Sequence, residues 1–231
     1  MIKIQCNNVS YAYNSDQLIF NNISFNYHGP GFHALFGESG VGKSTLARIM
    51  AGMIVPDDGT IICQSEDTNV IYTTNQERFP GWQTIETHFK AFLPGHSHNL
   101  WRQMMSDFGV EQCLHARFEQ LSLGQKNRVN LIRYLFQDDA ILIMDESLAN
   151  VDESMREKII LLIKQQFSSK CFIYISHHVR EVCKYCDQIM VLRPPHKTPQ
   201  VYHLSGQNYI FEKSLDSNTL KQNMLEIVHA T

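Results

Sequence analysis

The nine residues Gly37-Glu38-Ser39-Gly40-Val41-Gly42-Lys43-Ser44-Thr45 constrain this 231-residue chain more than any other feature. They fit the spacing GxxxxGK[ST], whose chemistry is specific. Glycines let the backbone curl into a nest of N–H donors around a phosphate, and the helix that follows turns its positive end on the same anion. Lys43 is placed to reach the β- and γ-phosphates, and the Ser44 hydroxyl to ligate Mg²⁺. The flanks suit the motif. Phe32–Phe36 is a short apolar run expected to form the strand before the loop, and Ser44–Met53 reads as the helix after it. Typical residue frequencies produce the bare pattern in roughly one such chain in 100, and less often with both flanks in place.

A phosphate loop needs an acidic partner at the end of another strand. The run Ala140-Ile141-Leu142-Ile143-Met144 ends in Asp145 and Glu146. Asp145 at the strand end can hold Mg²⁺ directly or through water. Glu146, one residue on, points elsewhere and suits polarising a water for in-line attack.

Composition narrows the class. With 43% hydrophobic residues the chain is globular, and 20 Lys+Arg against 23 Asp+Glu give a net charge of −3. That balance argues against a broad basic face for nucleic acid. No stretch approaches the ~20 apolar residues that cross a bilayer. The N-terminus, MIKIQCNNVS, reaches Asn7 and Asn8 before a signal-peptide apolar region develops, so the chain is expected in the cytoplasm. Six scattered cysteines fit a reducing compartment. Cys183-Lys184-Tyr185-Cys186 has the spacing of half a zinc site without a second close pair, and reads as two core positions of one helix.

Strand-like stretches at Ile2–Tyr13 and Leu18–Tyr27 open the chain, and a turn at Pro56–Gly59 leads to a short strand at Thr60–Cys63. From about residue 84 to 129 the β-branched runs vanish. Helices are expected at Glu86–Phe92, capped by Thr84, at Leu100–Phe108, capped by Asn99, and at Glu111–Glu119. A strand–helix series follows: Ala140–Met144, a helix Met155–Phe167 opened by a capping box at Ser154 and Glu157, Cys171–Ser176, a helix Val179–Tyr185, and a β pair Ile189–Leu192 and Val201–Leu204. The expected fold class is α/β. It has a phosphate-loop NTPase core with a mainly parallel sheet and flanking helices, an N-terminal antiparallel β subdomain, and an inserted helical subdomain at about 84–129, all within one domain spanning 1–231.

Upstream of the Asp-Glu strand stands Leu121-Ser122-Leu123-Gly124-Gln125, which resembles the LSGGQ signature of ATP-binding-cassette (ABC) proteins. The order phosphate loop, helical insert, signature, strand ending in Asp-Glu and then histidine resembles that family from about Ile2 to Leu204. The resemblance implies an ATPase using ATP and Mg²⁺. It makes Tyr13, in Val9-Ser10-Tyr11-Ala12-Tyr13, the aromatic that stacks on adenine, with Tyr11 left as a core-facing strand residue. It makes Gln76 the glutamine-loop residue linking the γ-phosphate and Mg²⁺ to the helical insert, ahead of Gln83. It assigns Glu38, Ser39, Gly40, Val41 and Thr45 to the phosphate cradle, Glu146 to water activation, and His177 to the γ-phosphate. Ser122, Gly124 and Gln125 then serve the nucleotide of the opposite subunit. Three departures stand out: Leu123 replaces a glycine, Ala149 lacks a hydroxyl common in the loop after the Glu, and His178 stands where Asp is common.

The family resemblance further implies a head-to-tail homodimer, or a heterodimer with a related ATPase subunit, closing around two ATP. It implies transmembrane permease subunits as partners, no nucleic acid, and a peripheral position on the cytoplasmic face of the inner membrane. Phe79-Pro80-Gly81-Trp82 and Leu192-Arg193-Pro194-Pro195 resemble cassettes of the nitrate, sulfonate and taurine uptake group, which leans toward import. A single-cassette soluble ATPase in cofactor or metallocluster assembly is the alternative. Chromosome-maintenance ATPases carry a long coiled-coil insertion, which is missing between Lys43 and Ser122. Translation factors of this family carry two cassettes, and GTPases an NKxD-type segment that the chain lacks.

Overall fold

A computed structural model of the chain describes residues 2–14, 17–64, 70–73, 81–93, 98–137, 141–211 and 214–230. These fall into two compact units. One comprises Met1–Tyr72, Asp139–Asp145 and Lys164–Thr231, the other Thr73–Asp138 and Glu146–Ile163.

The first unit carries two sheets. Strands β1 (Lys3–Ala12), β2 (Leu18–His28) and β4 (Asp58–Gln64) form an antiparallel sheet in the order β2-β1-β4. In β2 the residues Ile23, Phe25 and Tyr27 turn inward while Ser24 and Asn26 face out, the period-2 pattern of a strand covered on one side; before them the pairing with β1 is irregular, and Ile19 and Phe20 are both buried. The second sheet runs in the order β5 (Val70–Thr73), β6 (Ile141–Asp145), β7 (Cys171–Ile175), β3 (Gly31–Phe36), β8 (Gln188–Leu192), β9 (Val201–Ser205). Pairs β6–β7, β7–β3 and β3–β8 are parallel, and β8–β9 is antiparallel. Every residue of β6 and β7 is buried, which explains why both read as unbroken apolar runs. Helix α1 (Lys43–Met50) follows the phosphate loop, and α6 (Val179–Tyr185) follows β7. A terminal helix α7 (Ser217–Ala230), absent from the sequence reading, starts at Asp216, whose carboxylate accepts the Asn218 N–H at 2.9 Å.

The second unit is helical: α2 (Ile85–Phe92), α3 (His98–Asp107), α4 (Leu123–Leu135) and most of α5 (Glu153–Gln166). Thr84 caps α2 as expected, accepting the Thr87 N–H at 3.3 Å. Phe89 stacks on Trp101 with ring centroids 5.1 Å apart, and both are fully buried.

Several local expectations change. The helix expected at Glu111–Glu119 is two single 3₁₀ turns, Glu111–Cys113 and Phe118–Gln120. Between them the carbonyls of Leu114 and Ala116 accept the Glu86 and Ile85 N–H groups at 2.9 and 3.0 Å, so they close the start of α2 instead of extending a helix of their own. Asn99 lies inside α3, not at its cap. Helix α5 begins earlier than expected because Asp152 caps it, its Oδ1 accepting the Met155 N–H at 2.9 Å, and Ser154 falls inside the helix. Cys183 and Cys186 are buried free thiols, and burial pushes the Cys183 thiol up to about 12. Among the described residues no helix is long and apolar enough to cross a membrane.

His33 sits fully buried on β3 with its ring 5.3 Å from that of Tyr27. Burial lowers its pKa below the ordinary 6.5, with Asp187 acting the other way. The folded state therefore binds a proton less readily than the unfolded chain. Stability is complete above pH 6.5 and falls as the pH drops through and below that value. Urea titrations at pH 7.5 and 5.5 should show a lower midpoint at 5.5, and His33→Phe should remove part of that difference. An equal loss in both proteins would contradict a neutral buried His33.

Candidate nucleotide site

The parallel register sets three strand ends level. Leu35 of β3 pairs with Ile175 of β7, and Ile175 pairs with Asp145 of β6. The segments that begin at Gly37, Glu146 and Ser176 thus leave the sheet along one edge, the carboxyl edge where open α/β sheets hold ligands.

The phosphate loop joins β3 to α1. Gly37, Gly40 and Gly42 have φ values of +151°, +79° and +108°. Gly42 is held in place by packing as well as by φ: a Cβ there would stand 2.5 Å from Ile19 Cγ2 and 3.0 Å from Phe20 Cε1 of β2. No acidic residue lies in the first turn of α1, and Gly42 brings no side chain to cap it. The Lys43 ammonium is buried and donates to the carbonyls of Gly37 at 2.9 Å and Glu38 at 2.7 Å, which keeps the charge inside the loop. Glu38, Ser39, Gly40 and Ser44 are exposed, whereas Val41 and Thr45 are buried. A nest of backbone, an ammonium and a helix start free of acidic side chains make a donor set that fits a polyphosphate.

Tyr13 lies beside this helix start. Its hydroxyl and Thr45 Oγ1 are hydrogen-bonded at 2.5 Å, its ring meets Tyr11 edge-on at 5.5 Å, and about half of it (51%) is exposed. Tyr11 packs against the core. An open aromatic surface next to the phosphate loop is what an adenine ring requires.

Asp145 is buried at the end of β6, and its Oδ2 accepts the Tyr72 hydroxyl at 2.7 Å. The described residues give Oδ1 no hydrogen bond. Burial and the Asp145 carboxylate push the Tyr72 phenol up to about 12, so it stays a donor. The exposed Ser44 hydroxyl and the Asp145 carboxylate are hard oxygen donors of the kind Mg²⁺ takes. Glu146 follows with φ +52°, a left-handed conformation uncommon for a side chain of this size. His177 is exposed just past β7; the preceding Ser176 is buried and its Oγ accepts the His178 N–H at 3.1 Å. Gln76 lies outside the described residues, as do Phe79 and Pro80.

In the helical unit, Ser122 caps α4. Its Oγ accepts the Gln125 N–H at 3.3 Å, and Gln125 Oε1 accepts the Ser122 N–H at 2.8 Å. Leu123 begins the helix half-exposed, so its bulk is absorbed by solvent. Gly124 has no such room: a Cβ would approach the Asn150 carbonyl oxygen to 2.6 Å. Asn127, buried, donates to the Ala149 carbonyl at 2.8 Å. The signature helix and the loop after Glu146 are therefore packed backbone to backbone. In the sequence neither Tyr72 nor Asn127 stood out, although Val70-Ile71-Tyr72-Thr73 carries the β-branched and aromatic signal of a strand.

A family profile described as "ABC transporter" matches residues 20–149, more than half of the chain. The chain belongs to the ABC transporter family. Among its relatives in that family are a ribose import ATP-binding protein of Bacillus cereus, 29% identical over 213 residues (82% of this chain, 43% of that protein), and a spermidine/putrescine import ATP-binding protein of Protochlamydia amoebophila, 30% identical over 203 residues (77% and 52%). A molybdenum import ATP-binding protein of Brucella abortus is 29% identical over 181 residues (70% and 50%). The chain spans about half the length of these relatives. Its fold is shared by a bacterial Atm1-family ABC exporter with ATP bound, with a TM-score of 0.73 and 21% identity over 99% of this chain and 41% of that one. A metal-chelate type ABC transporter in an inward-facing conformation gives 0.70 and 16% over 98% and 90%.

The two signature positions should respond differently to substitution. Leu123→Ala should change unfolding free energy by less than about 0.5 kcal/mol, as exposed positions do. Gly124→Ala should cost about 1–3 kcal/mol by overpacking against Asn150. Equal losses in urea titration would contradict the close approach at Gly124.

Proposed function

We propose that this chain is the ATP-hydrolysing subunit of an import-type ABC transporter and works from the cytoplasmic membrane face with separate transmembrane subunits. The observation that carries this reading is the level register of Leu35, Ile175 and Asp145, which brings a phosphate loop, an acidic strand end and a histidine to one edge. The import lean comes from the ribose, spermidine/putrescine and molybdenum import relatives.

In this reading the β-phosphate sits in the loop formed by residues 37–45, with Lys43 reaching the γ-phosphate and the adenine on Tyr13. Ser44 and Asp145, with Gln76 as the family resemblance implies, would hold Mg²⁺, which would supply charge neutralisation at the phosphates. Glu146 accepts a proton from the attacking water as the new O–P bond forms and the bond to ADP breaks. His177 holds the γ-phosphate from the end of β7. Ser122, Gly124 and Gln125 complete the site in a second copy, or in a related subunit, across a head-to-tail dimer. Donors from both subunits then meet each γ-phosphate, so ATP favours the closed pair by binding it better than the open one, and hydrolysis releases it. By the family resemblance Gln76 would link the γ-phosphate to the helical insert at about 84–129, which would pass that closure to the membrane subunits.

Lys43→Ala should abolish ATP binding in titration calorimetry. Glu146→Gln should bind ATP normally while turnover falls about 10²–10⁴-fold, the span of a positioned general base. With ATP, Glu146→Gln should also elute as a dimer in size-exclusion chromatography. Unchanged ATP affinity in Lys43→Ala would overturn the phosphate-loop assignment, and a Glu146→Gln protein that stays monomeric with bound ATP would overturn the shared site.

A further inference from the structure

Tyr72 belongs to none of the sequence motifs, yet its hydroxyl supplies the hydrogen bond that Asp145 Oδ2 receives, at 2.7 Å across 73 residues of chain. The tyrosine is itself held from a second side. Arg48, in the last turn of α1, places its guanidinium carbon 6.0 Å from the centre of the phenol ring. One side chain therefore touches the helix that follows the phosphate loop and the strand that ends in the acidic pair, and it sits four residues before Gln76.

The terminal torsion of an aspartate is soft and roughly two-fold, so an unrestrained Asp145 would present either oxygen over a wide arc. A hydrogen bond to an ionised carboxylate is strong and directional enough to stop that rotation. It also draws some charge from the carboxylate, which weakens a cation ligand. The two effects oppose each other. Orientation is the larger, because removing the outer partner of a metal-ligating group costs about 10–100-fold in metal affinity.

We propose that Tyr72 is a positioning residue for Asp145: its hydroxyl ties down Oδ2 and leaves Oδ1 to serve the divalent cation of the nucleotide. The inference rests on the reading of Asp145 as a cation ligand given above. Through Tyr72, the setting of Asp145 also depends on β5, the strand that leads into the segment holding Gln76.

Mn²⁺ binding followed by electron paramagnetic resonance tests this, using the full chain with a saturating non-hydrolysable ATP analogue. Tyr72→Phe deletes only the hydroxyl. It should weaken Mn²⁺ about tenfold while affinity for the analogue in EDTA, read by calorimetry, stays within about twofold. In an Asp145→Asn background the same substitution should add nothing further. Mn²⁺ affinity unchanged in Tyr72→Phe, or an equal loss of analogue binding in EDTA, would overturn the positioning role. If Asp145→Asn itself kept full Mn²⁺ affinity, the assignment of Asp145 as a cation ligand would fail, and the positioning role with it. Loss in Asp145→Asn with none in Tyr72→Phe would sink the role of the tyrosine alone.

Discussion

Leu35, Ile175 and Asp145 stand level across three neighbouring parallel strands, and the ladder that joins them decides where three loops begin. Side chains alternate along a strand, so a slip of one residue in β6 would turn Asp145 to the other face and move it by about 3.3 Å. The slip is resisted because β6 and β7 are buried along their whole length, and any other register would leave part of their Ile, Leu and Met surface mismatched. Burial at roughly 25 cal/mol per Å² of apolar surface is the force behind that register, and the polar ends of the strands inherit their positions from it.

What surrounds the strand ends consists of backbone approaches and a few long-range hydrogen bonds. Gly42 lets the turn into α1 lie against Ile19 and Phe20, which ties the phosphate loop to the antiparallel sheet. Tyr13 meets Thr45 at the start of the same helix. In the helical unit, Gly124 and Asn127 seat the start and first turn of α4 on the segment at Ala149 and Asn150, immediately after Glu146. The loss of a hydroxyl at Ala149 leaves this seating untouched, since Asn127 uses the Ala149 carbonyl and not its side chain. Replacement of a glycine by Leu123 is harmless to the fold for a comparable reason: that side chain faces solvent.

Features whose physics is local could be read from the sequence. The phosphate loop depends on glycine spacing and one lysine, the strands β6 and β7 on continuous apolar runs, and the Thr84 cap on a residue next to its helix. Features that depend on distant partners could not. The run Glu111–Glu119 has helical composition, but the carbonyls of Leu114 and Ala116 are taken by the start of α2, which no local pattern records. Asp152 displaced Ser154 as the cap of α5 because both are good caps and only the chain path chooses between them. The bond from Tyr72 to Asp145 joins positions 73 apart, and a tyrosine in a four-residue strand carries no mark of the carboxylate it meets. Leu123 and Gly124 are adjacent letters of one motif, and only the position of Asn150 separates the tolerant site from the intolerant one.

In the proposed reading one sheet edge supplies this chain's share of a hydrolytic centre that a second subunit completes. A crystal structure of the chain grown with ATP and Mg²⁺ addresses it most directly. The β-phosphate is expected inside the turn 37–45, the cation between Ser44 and Asp145, and His177 facing the terminal phosphate. A triphosphate bound anywhere else, or a cation that ignores Asp145, would contradict it.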